Sequence, residues 1–406
     1  MAYLRSFLPR DVFIVSMART PVGSFLGALS SLTAPQLGAI ALSNAIRRAH
    51  LENHEVEQVV MGHVLSGGCG QAPARQASLA ADIPSTVDVF AVNKVCSSGM
   101  KAVVLAAQSI ALRHCDIAVA GGMESMSQAP YLLRKAREGG YRYGHGDLLD
   151  SLLYDGLWDP HNNIHMGRCA EKTALEHSLS RVDQDMFAVE SYKRSADAWK
   201  SGVMEKEIVP VTVSTGKKAS SIEPSKISIT EDEEYKRINL EKVATLKPAF
   251  QSDGTITAAN ASTLNDGAAA VVLMSGEKLK ELDLQPLARI LAFADAAVSP
   301  IDFPIAPFHA VKKVMKMASV DTKVDIYEIN EAFSAVALAN MKLLKVDPSR
   351  VNLHGGAVSL GHPLGMSGCR IIISLINVLH SHQRQVGCAA ICNGGGGSTA
   401  MLLERM

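Results

Sequence analysis

Apolar strand-like runs alternate with segments of helical period along most of this chain, and the alternation occurs twice. The first third has a strand at 11–15 and a helix at 33–50, for which Thr33 is the expected N-cap. The last third has the same order, with a helix at 305–317 and a strand at 324–329. Apolar strands that alternate with helices are typical of α/β folds whose sheets are covered on both faces. The sequence therefore predicts two similar α/β halves.

The other predicted elements complete both halves. We predict a strand at 116–120 that Gly121 and Gly122 terminate, because glycine favours turns. We also predict a strand at 351–354, just before a loop rich in glycine. The remaining predictions are strands at 56–65, 86–93, 387–392 and 398–403, and helices at 74–81, 101–112, 181–201, 331–344 and 367–379.

The middle of the chain differs in composition from both halves. It contains Gly-Gly-Tyr, Asn-Asn and Lys-Lys clusters and the charged run Glu231-Asp-Glu-Glu234, which we interpret as a solvated face. We therefore predict an inserted loop domain, after which the chain returns to the first half. The predicted segments are an N-terminal half at 1–127, a loop domain at 128–254, a return to the N-terminal half at 255–283 and a C-terminal half at 284–406.

Charge and cysteine content exclude several classes of protein. The 406 residues carry 40 Lys and Arg against 40 Asp and Glu, so no basic field attracts nucleic acid or an anionic membrane. The longest apolar runs, 102–107 and 268–274, are shorter than the roughly 20 residues of a spanning helix. Seven cysteines are an odd number and indicate a reducing compartment. The first ten residues are too short for a signal peptide, and a processed organellar leader would leave no trace.

A cysteine opens a predicted helix in Asn93-Lys-Val-Cys96-Ser-Ser-Gly99. At this position it faces unpaired N–H groups and the positive end of the helix dipole, which stabilise a thiolate. Gly99 and the two small serines let a substrate approach the backbone closely. From this segment alone, a catalytic nucleophile and a buried structural cysteine both remain open.

Two further motifs lie in the last third. His362 lies on a loop with five glycines between 355 and 368, which indicates backbone packed against a ligand. Cys388-Ala-Ala-Ile-Cys392-Asn-Gly-Gly-Gly-Gly397 ends a predicted strand. Since α/β sites form at the carboxyl ends of strands, we expect Cys96, His362 and Cys392 to form a nucleophile and acid/base set.

A zinc site and a dinucleotide site are competing interpretations of these motifs, and a fourth motif is also open to two readings. Zinc is disfavoured because Cys388 and Cys392, four apart on a strand, lie ~13 Å apart. A dinucleotide site is disfavoured because no helix follows the four glycines. Asn330-Glu-Ala-Phe333, at another strand-to-helix junction, is either a helix cap or part of the site.

These four blocks together resemble the thiolase family. Asn93-Lys-Val-Cys96-Ser-Ser-Gly99, Asn330-Glu-Ala-Phe333, Gly361-His362-Pro363 and Cys392-Asn-Gly394 occur in the family's order, and the resemblance runs from about Val12 to the C-terminus. It implies a thiolase fold, in which two similar βαβαβ-type halves form five αβαβα layers with an inserted loop domain that contacts coenzyme A. It also implies acetyl-CoA C-acetyltransferase activity, a reversible Claisen reaction between two acetyl-CoA and acetoacetyl-CoA plus CoA through an acyl-cysteine.

The resemblance also implies catalytic roles. Cys96 matches the nucleophile that becomes acylated, and Cys392 matches the acid/base at the α-carbon. His362 matches the residue that activates Cys96 and helps to bind the thioester oxygen. Asn330 matches the residue that holds a water in that same oxyanion hole. The backbone N–H groups of Cys96 and Gly394 match a second hole, for the acyl-enzyme oxygen.

Within the family, the chain most resembles the potassium-activated acetoacetyl-CoA thiolases of the mitochondrial type. The segments that carry this likeness are Ser191-Tyr192-Lys-Arg-Ser-Ala, Glu233-Glu-Tyr-Lys-Arg237, Thr257-Ala258-Ala259-Asn-Ala261-Ser262-Thr-Leu-Asn-Asp-Gly267 and Phe293-Ala-Asp-Ala-Ala-Val298. The implied potassium shell is Tyr192 with the carbonyls of Ala258, Ala259, Ala261 and Val358. Coenzyme A is implied as a substrate, and no covalently bound cofactor is expected.

The same likeness implies the coenzyme A contacts. Arg237, Asn239 and Lys242 match the adenine and phosphate end, Ser262 matches a pantetheine contact, and Tyr192 lies within this group. His165, in Ile164-His-Met-Gly167, matches a pocket residue near the substrate. Relatives usually have Asp where this chain has Asn239, so we expect nucleotide binding to persist with altered strength. The run 301–307 resembles the pocket wall of enzymes that accept 2-methylacetoacetyl-CoA, or is an ordered loop held by prolines.

Alternative functions and the cellular setting also follow from the resemblance. The alternatives are a broad or long-chain 3-ketoacyl-CoA thiolase and a non-catalytic acyl-CoA or lipid-binding module. A carrier-protein-dependent condensing enzyme is disfavoured, because those have Cys–His–His sites whereas this chain offers a second cysteine. The family implies a homotetramer built as a dimer of dimers. The subfamily implies the mitochondrial matrix, with the cytoplasm as the alternative.

Overall fold

The computed structural model describes residues 6–137, 139–215, 225–318 and 323–406. The strands are β1 Val12–Arg19, β2 Gly23–Ser24, β3 Gln58–Gly62, β4 Asp88–Val92, β5 Ile117–Ser125, β6 Tyr131–Leu132, β7 Leu149–Asp150, β8 Trp158–Asp159, β9 Ile164–His165, β10 Val211–Thr215, β11 Ser225–Ile229, β12 Asn265–Ser275, β13 Ala288–Ala297, β14 Ile326–Ile329, β15 Val386–Asn393 and β16 Gly397–Arg405. The helices are α1 Ala34–Arg48, α2 Pro73–Ala80, α3 Ser98–Ala111, α4 Met166–Glu176, α5 Arg181–Lys200, α6 Gly276–Glu281, α7 Ala306–Met317, α8 Ser334–Leu344, α9 Ala357–Leu360 and α10 Leu364–Ser381.

Ten strands of these ranges form one hydrogen-bonded sheet, in the order β14-β15-β16-β13-β1-β12-β5-β3-β4 with β2 paired to β12. The two halves join where Phe13 and Ile14 of β1 pair with Arg289 and Ala288 of β13. In the first half β3 is parallel to β4 and β5, and in the second half β14 is parallel to β15, while the inner pairs are antiparallel. The two halves therefore repeat one strand order, outwards from their junction.

The side chains of neighbouring residues show how the layers are stacked. In β5, Ala118 and Ala120 pack with α3 and α10 in a central cluster, whereas Ile117 and Val119 pack with α1. In β15, Ile391 joins that central cluster and Cys388 packs with α7. Successive residues of a strand point to opposite faces, so each half-sheet is buried on both sides. The order is α1, sheet, α3 with α10, sheet and α7, which confirms the predicted five layers.

The central position of α10 explains its apolar composition. By length and composition it is one helix that could cross a membrane, and 89% of the tested window is buried inside the protein. The sequence of α10 does not read as one long apolar run, because Arg370 and several small polar residues interrupt it. A helix packed on both sides needs an apolar surface for the same reason as a spanning helix does.

Gly121 and Gly122 do not terminate their strand, and that prediction is wrong. β5 continues through both of them to Ser125. A Cβ on Gly121 would lie 1.9 Å from Ala269 O of β12, and a Cβ on Gly122 would lie 1.9 Å from Gly365 O of α10. These glycines therefore permit close packing inside the fold rather than a turn.

The predicted strand at 351–354 is also wrong, because only Val351 forms an isolated bridge, with Tyr327 of β14. The next residue, Asn352, has a φ of +50°. Its side chain accepts from Ile329 N at 2.8 Å and donates to Ile329 O at 2.8 Å. A side-chain amide thus takes hydrogen bonds that a fifth strand of this half would have made, and the chain turns towards the His362 loop.

The charged run Glu231-Asp-Glu-Glu234 is not a solvated face, contrary to the sequence interpretation. Asp232 is 1% exposed, and its oxygens accept from Arg19 Nη1 at 2.8 Å and Nη2 at 3.0 Å. The carboxylate of Glu233 accepts from Ser24 N at 2.8 Å. The run therefore anchors the middle of the chain to β1 and β2.

The middle segment packs on the second half, and the chain then returns to the first. Helix α5 contacts α8 and α9, and β12 lies between β1 and β5.

The predicted N-cap of α1 is confirmed, since Thr33 accepts from Gln36 N and Gln36 accepts from Thr33 N. The predicted boundaries at 127, 254 and 283 stay predictions.

Candidate active site

Cys96 lies in a tight turn directly before α3. Val95 has a φ of +47°, a left-handed conformation that β-branched residues rarely adopt. Asn93 Oδ1 supports the turn by accepting from Val95 N at 2.9 Å. The Cys96 side chain is buried and 3% exposed. Strain of this kind clusters at functional sites, and here it fixes the direction of the thiol.

Burial sets the protonation state of Cys96. It raises the pKa of the thiol to about 12, and hydrogen bonds from the N–H groups of Gly394 and Cys96 itself oppose the shift only in part. The N–H groups lower the pKa of the thiol as expected, but the loss of hydration raises it more, so the resting thiol keeps its proton near neutral pH. Cys96 needs a base at the moment of reaction.

His362 is held in one tautomer by its neighbours. Its Nδ1 lies 2.6 Å from Ser367 Oγ, and Ser367 Oγ donates its only hydrogen to Pro363 O at 2.8 Å. We therefore assign the ring hydrogen to Nδ1, which leaves Nε2 as an acceptor. Nε2 is buried and has no hydrogen-bond partner among the described residues.

The ring of His362 is neutral over the usual range of enzyme assays. Burial, and then the positive charge of Arg370, lower the pKa of His362 to about 3. A group whose pKa is lowered in this way binds a proton only in acid, so Nε2 carries no proton near neutral pH.

Cys392 lies close to this pair, and Asn330 follows β14, where its N–H donates to Ala390 O of β15 at 3.0 Å. Burial raises the pKa of the Cys392 thiol well above its usual value, and the charge of Cys96 raises it further, so the two thiols are near neighbours. Asn330 is 1% exposed, and its Nδ2 and Oδ1 have no partner in the part of the chain that the structure describes. An unpaired buried amide of this kind is costly unless it binds a water or a ligand.

Two backbone N–H groups point at the thiol of Cys96. They belong to Gly394, after β15, and to Cys96 itself. An acyl group on the sulfur would bring its carbonyl oxygen to the same place. The two donors come from different halves of the fold, so this arrangement exists only where the halves meet.

Cys96 and His362 both line a cavity of about 640 Å³. This volume is within the range of small-molecule sites. Phe250 stacks on His165 with ring centroids 4.6 Å apart and meets Phe333 edge-on at 5.9 Å. The other lining residues are Phe25, Met126, Leu157, Met166, Tyr192, Glu234, Arg237, Ile238, Ala249, Thr257, Ala258, Ala261, Ser262, Thr263, Leu264, Ala332 and Leu364.

The predicted coenzyme A residues divide into two groups. Arg237, Ser262, His165 and Tyr192 line the cavity, whereas Asn239 and Lys242 do not. Those two lie on an exposed turn after Arg237, where Asn239 Oδ1 accepts from Glu241 N at 3.1 Å. The side chain of Arg237 is 62% exposed, 3.7 Å from Glu234 Oε1, and is therefore free to meet a charged ligand at the mouth of the cavity.

Tyr192 packs with one of the other predicted potassium residues and shares the cavity wall with two more. Tyr192 is 5% exposed and packs with Val358. Ala258 and Ala261 share the cavity wall with Tyr192, and Ala259, between them in the chain, is buried. Burial, and then the negative charges of Glu234 and Glu331, raise the pKa of Tyr192. Across the described residues, no group of three or more His, Cys, Asp or Glu side chains could hold a metal ion.

The run 301–307 does not line the cavity of Cys96. It forms a short 3-10 helix at Pro300–Ile305 and the start of α7. Phe303 is buried in the same cluster as Phe333 and Cys392, so the run lies behind the wall.

Several residues that shape this site were not predicted from the sequence. Ser367 orients the ring of His362, and Asn265 Oδ1 accepts from His362 N at 2.8 Å. Phe250 and Met166 line the cavity. Ser367 had a local signal, since it lies in the first helical turn after the histidine. Asn265 and Met166 lie in segments that carry the resemblance, at 257–267 and 164–167. Phe250 lies in none of the quoted motifs.

Family models match nearly the whole chain. The model described as "Thiolase, N-terminal domain" matches residues 12–277, and "Thiolase, C-terminal domain" matches 284–405. The mitochondrial acetyl-CoA acetyltransferase of Rattus norvegicus is 53% identical over 398 residues, covering 98% of this chain and 91% of the relative. Its namesake from Homo sapiens is 51% identical over 399 residues, with the same two coverages.

Solved structures agree with these matches over the full length. The Acat5 thiolase from Ascaris suum in complex with coenzyme A is 46% identical, with a TM-score of 0.91 over 98% of this chain and 100% of that chain. The acetyl-CoA acetyltransferase of Bacillus anthracis is 40% identical, with a TM-score of 0.93 over 99% of this chain and 100% of that chain. By both domain models, by identity and by fold, this chain belongs to the thiolase family.

Proposed function

We propose that this chain is an acetyl-CoA C-acetyltransferase, an acyltransferase that interconverts acetoacetyl-CoA plus CoA with two acetyl-CoA. The observation that carries the proposal is that Cys96 and His362, whose Nε2 has no partner among the described residues, line one cavity, while two N–H donors point at the Cys96 thiol. A nucleophile, a base and oxyanion donors at one point are what acyl transfer needs. The printed names of the relatives support the same reaction, and the Ascaris suum thiolase supports coenzyme A as its substrate.

In the cleavage direction, the first half-reaction breaks the carbon–carbon bond. His362 Nε2 takes the thiol proton of Cys96, and the sulfur attacks the ketone carbon of acetoacetyl-CoA. The bond between that carbon and the α-carbon then breaks, leaving an acetyl group on Cys96. The electron pair passes to the α-carbon, which takes a proton from Cys392 and leaves as acetyl-CoA. Its raised pKa keeps the Cys392 thiol protonated near neutral pH, so the proton is present when the far more basic α-carbanion forms.

The second half-reaction transfers the acetyl group to free CoA. The Cys392 thiolate takes the proton of the CoA thiol, whose sulfur attacks the acetyl carbon. Cys96 then leaves as a thiolate and recovers its proton from His362. The N–H groups of Cys96 and Gly394 stabilise the oxyanion of this step, while His362 and an Asn330-held water stabilise the thioester oxygen of the enolate. Each preorganised donor contributes about 3 kcal/mol.

Coenzyme A enters by the exposed mouth of the cavity. Ser262 and His165 meet the pantetheine and acyl parts, since both line the wall. Arg237, Asn239 and Lys242 meet the adenine and phosphate end, where two cationic side chains suit a nucleotide's phosphates. Asn239 is neutral, so the contact relies on hydrogen bonding.

Potassium is proposed at the position enclosed by Tyr192, Val358 and the 258–261 carbonyls. The residues present fit it, because the buried carboxylates of Glu234 and Glu331 place negative charge beside a set of neutral oxygens. The Tyr192 hydroxyl and the four carbonyls would hold the ion. Its contribution there is to stiffen the loops on both sides of the coenzyme A cavity.

Replacing sodium by potassium at constant ionic strength is expected to lower the KM for CoA by about fivefold, within the usual range of coupling between sites. Constant ionic strength matters because salt also screens the phosphates. Thermal unfolding provides a second readout, since a bound ion raises the Tm as its concentration rises. Tyr192→Phe is expected to weaken both effects. Equal kinetics and equal Tm in the two salts would contradict the proposed shell.

Cleavage of acetoacetyl-CoA by free CoA, measured beside a long-chain 3-ketoacyl-CoA, tests the proposed function. We expect the short substrate to be preferred by at least about 100-fold in kcat/KM, because the aromatic side chains of Phe250 and Phe333 close the wall near His165. Comparable rates would indicate a broad or long-chain thiolase. Binding without cleavage of either would indicate a non-catalytic acyl-CoA module. The same assay should include 2-methylacetoacetyl-CoA, because the run 301–307 resembles the pocket wall of enzymes that accept it. Phe303 of this run lies behind the cavity wall.

The names of the relatives also support a setting in the cell. We propose the mitochondrial matrix, because the matched relatives are called mitochondrial. The cytoplasm is the alternative, and subcellular fractionation distinguishes the two. A homotetramer remains a proposal from the family alone, which light scattering of the purified protein would test.

A further inference from the structure

One buried carboxylate joins the two halves of the site. Glu124, at the end of β5, is 0% exposed. Its oxygens accept hydrogen bonds from backbone N–H groups of the loop after β3 and of the first turn of α10. We propose that Glu124 is a positioning residue, which sets the place of His362 relative to Cys96 by capping α10 from the other half of the fold. The proposal rests on the thiolase reaction proposed above.

Helix α10 needs an external cap. Its N-cap residue is Pro363, which has no side-chain acceptor to offer. Glu124 Oε2 instead accepts from Gly365 N at 2.9 Å, the second residue of the helix, where an N-cap side chain would normally bind. A carboxylate there also faces the positive end of the dipole of an 18-residue helix.

The same carboxylate fixes a loop of the first half. Oε2 accepts from Val64 N at 3.1 Å and Oε1 accepts from Leu65 N at 3.1 Å. His63 Nε2 lies 3.4 Å from Oε1, and burial lowers the pKa of His63 to about 4, so this neighbour is neutral near pH 7. Glu124 is thus held by three N–H donors from two separate segments.

The cap bears directly on the catalytic histidine. Gly365 lies three residues after His362 and two before Ser367, the residue that holds the ring. A Cβ on Gly365 would lie 2.5 Å from Met123 O, so the N-terminal turn of α10 packs directly against β5. Cys96 belongs to the first half and His362 to the second. A shift of the first turn of α10 would therefore change the spacing between thiol and base.

A double-mutant cycle tests this role. Glu124→Gln keeps the shape of the side chain but loses the charge and replaces one acceptor oxygen with NH₂. We expect a 10- to 100-fold loss of kcat, about the cost of misplacing a catalytic group by 1 Å, with less than about a twofold change in the KM for CoA. The rate at which iodoacetamide alkylates Cys96 is expected to fall in parallel. In a His362→Ala background, Glu124→Gln is expected not to slow alkylation further, because the slowing acts through His362. The charge of Glu124 also raises the pKa of Cys96, so its direct loss can only speed alkylation.

Controls separate positioning from stability. Glu404→Gln removes another buried carboxylate charge, at the far end of β16, where Glu404 accepts from Arg289 Nη2 at 2.8 Å. It is expected to lower the Tm without slowing alkylation. Burial raises the pKa of Glu124 to about 7, so assays belong above that pH, where the carboxylate is ionised. If Glu124→Gln does not fold, Glu124→Asp, which keeps the charge but shortens the side chain, enters the same cycle.

The measurements distinguish a positioning role of Glu124 from a purely structural one. A Tm loss with unchanged alkylation, or additive effects with His362→Ala, would overturn the positioning role. Non-additive alkylation would support it. A wild-type protein that does not cleave acetoacetyl-CoA would refute the proposed function instead, and the alkylation cycle would still report on Glu124.

Discussion

Cys96→Ala is expected to abolish the acyl-enzyme and to reduce cleavage of acetoacetyl-CoA by about 10⁴-fold or more, as loss of a covalent nucleophile does elsewhere. The physical reason is placement. Cys96 lines the cavity at the point where the Gly394 and Cys96 N–H groups converge. Alanine removes the sulfur and leaves the cavity, the base and both donors in place. Intact-protein mass spectrometry after incubation with acetyl-CoA measures whether an acetyl group is attached.

Cys115→Ala is the matched control for this change. Cys115 follows α3, whereas Cys96 precedes it, and it is likewise buried, at 7% exposure. Both replacements remove a buried thiol next to an end of α3, so their effects on stability should be similar. Only the loss of Cys96 should remove acetylation. Stoichiometric labelling of Cys96→Ala would show that another residue takes the acyl group.

Local patterns sufficed for much of the fold. The capping box of Thr33 and Gln36 is a short-range interaction, and it begins α1 where the sequence indicates. The alternation of apolar strands with helices is also visible in the local sequence, and it correctly indicated sheets that are covered on both faces. The motif blocks of Cys96 and His362 each supplied a residue that lines the same cavity.

The errors arose where a distant partner decides the outcome. Gly121 and Gly122 have the composition of a turn, but the backbones of β12 and α10 need their missing side chains. Asp232 belongs to a charged run, but Arg19, more than 200 residues away, buries it. In each case the local preference is overridden by tertiary packing, which a single sequence does not display.

In the site, too, the local sequence indicates some properties and tertiary packing decides others. Cys96 has a helix N-terminus beside it, as predicted, yet burial controls its pKa. Burial depends on the whole cavity wall, which comes from both halves and the middle segment. Glu124 likewise has no local sign of its role, since the helix that it caps begins 240 residues later.

Cys392→Ala is expected to separate the two chemical steps. Condensation of two acetyl-CoA requires a base at the α-carbon, and we expect it to fall by about 10³- to 10⁴-fold, towards the upper end of what general acid–base catalysis supplies. Acetylation of Cys96 by acetyl-CoA requires only that a CoA thiolate leave. A thiol has a pKa of about 8.5, so water can protonate that leaving group, and we expect this step to fall by about tenfold at most. Acetyl transfer between acetyl-CoA and labelled free CoA measures it separately.

The position of Cys392 explains why its loss should slow the carbon–carbon step more than acyl transfer. Its thiol is buried beside Cys96, in one cluster with Met166 and Phe333 of the cavity wall, but the Cys96–His362 pair does not depend on it. Cys388→Ala, on the same strand, is the control, since Cys388 packs against the outer helix α7. Condensation that persists within tenfold of wild type would refute an acid/base role for Cys392. An equal loss of both steps would instead indicate that Cys392 supports the nucleophile. Loss of carbon–carbon chemistry with acyl transfer retained is the outcome that only a proton carrier at the α-carbon produces.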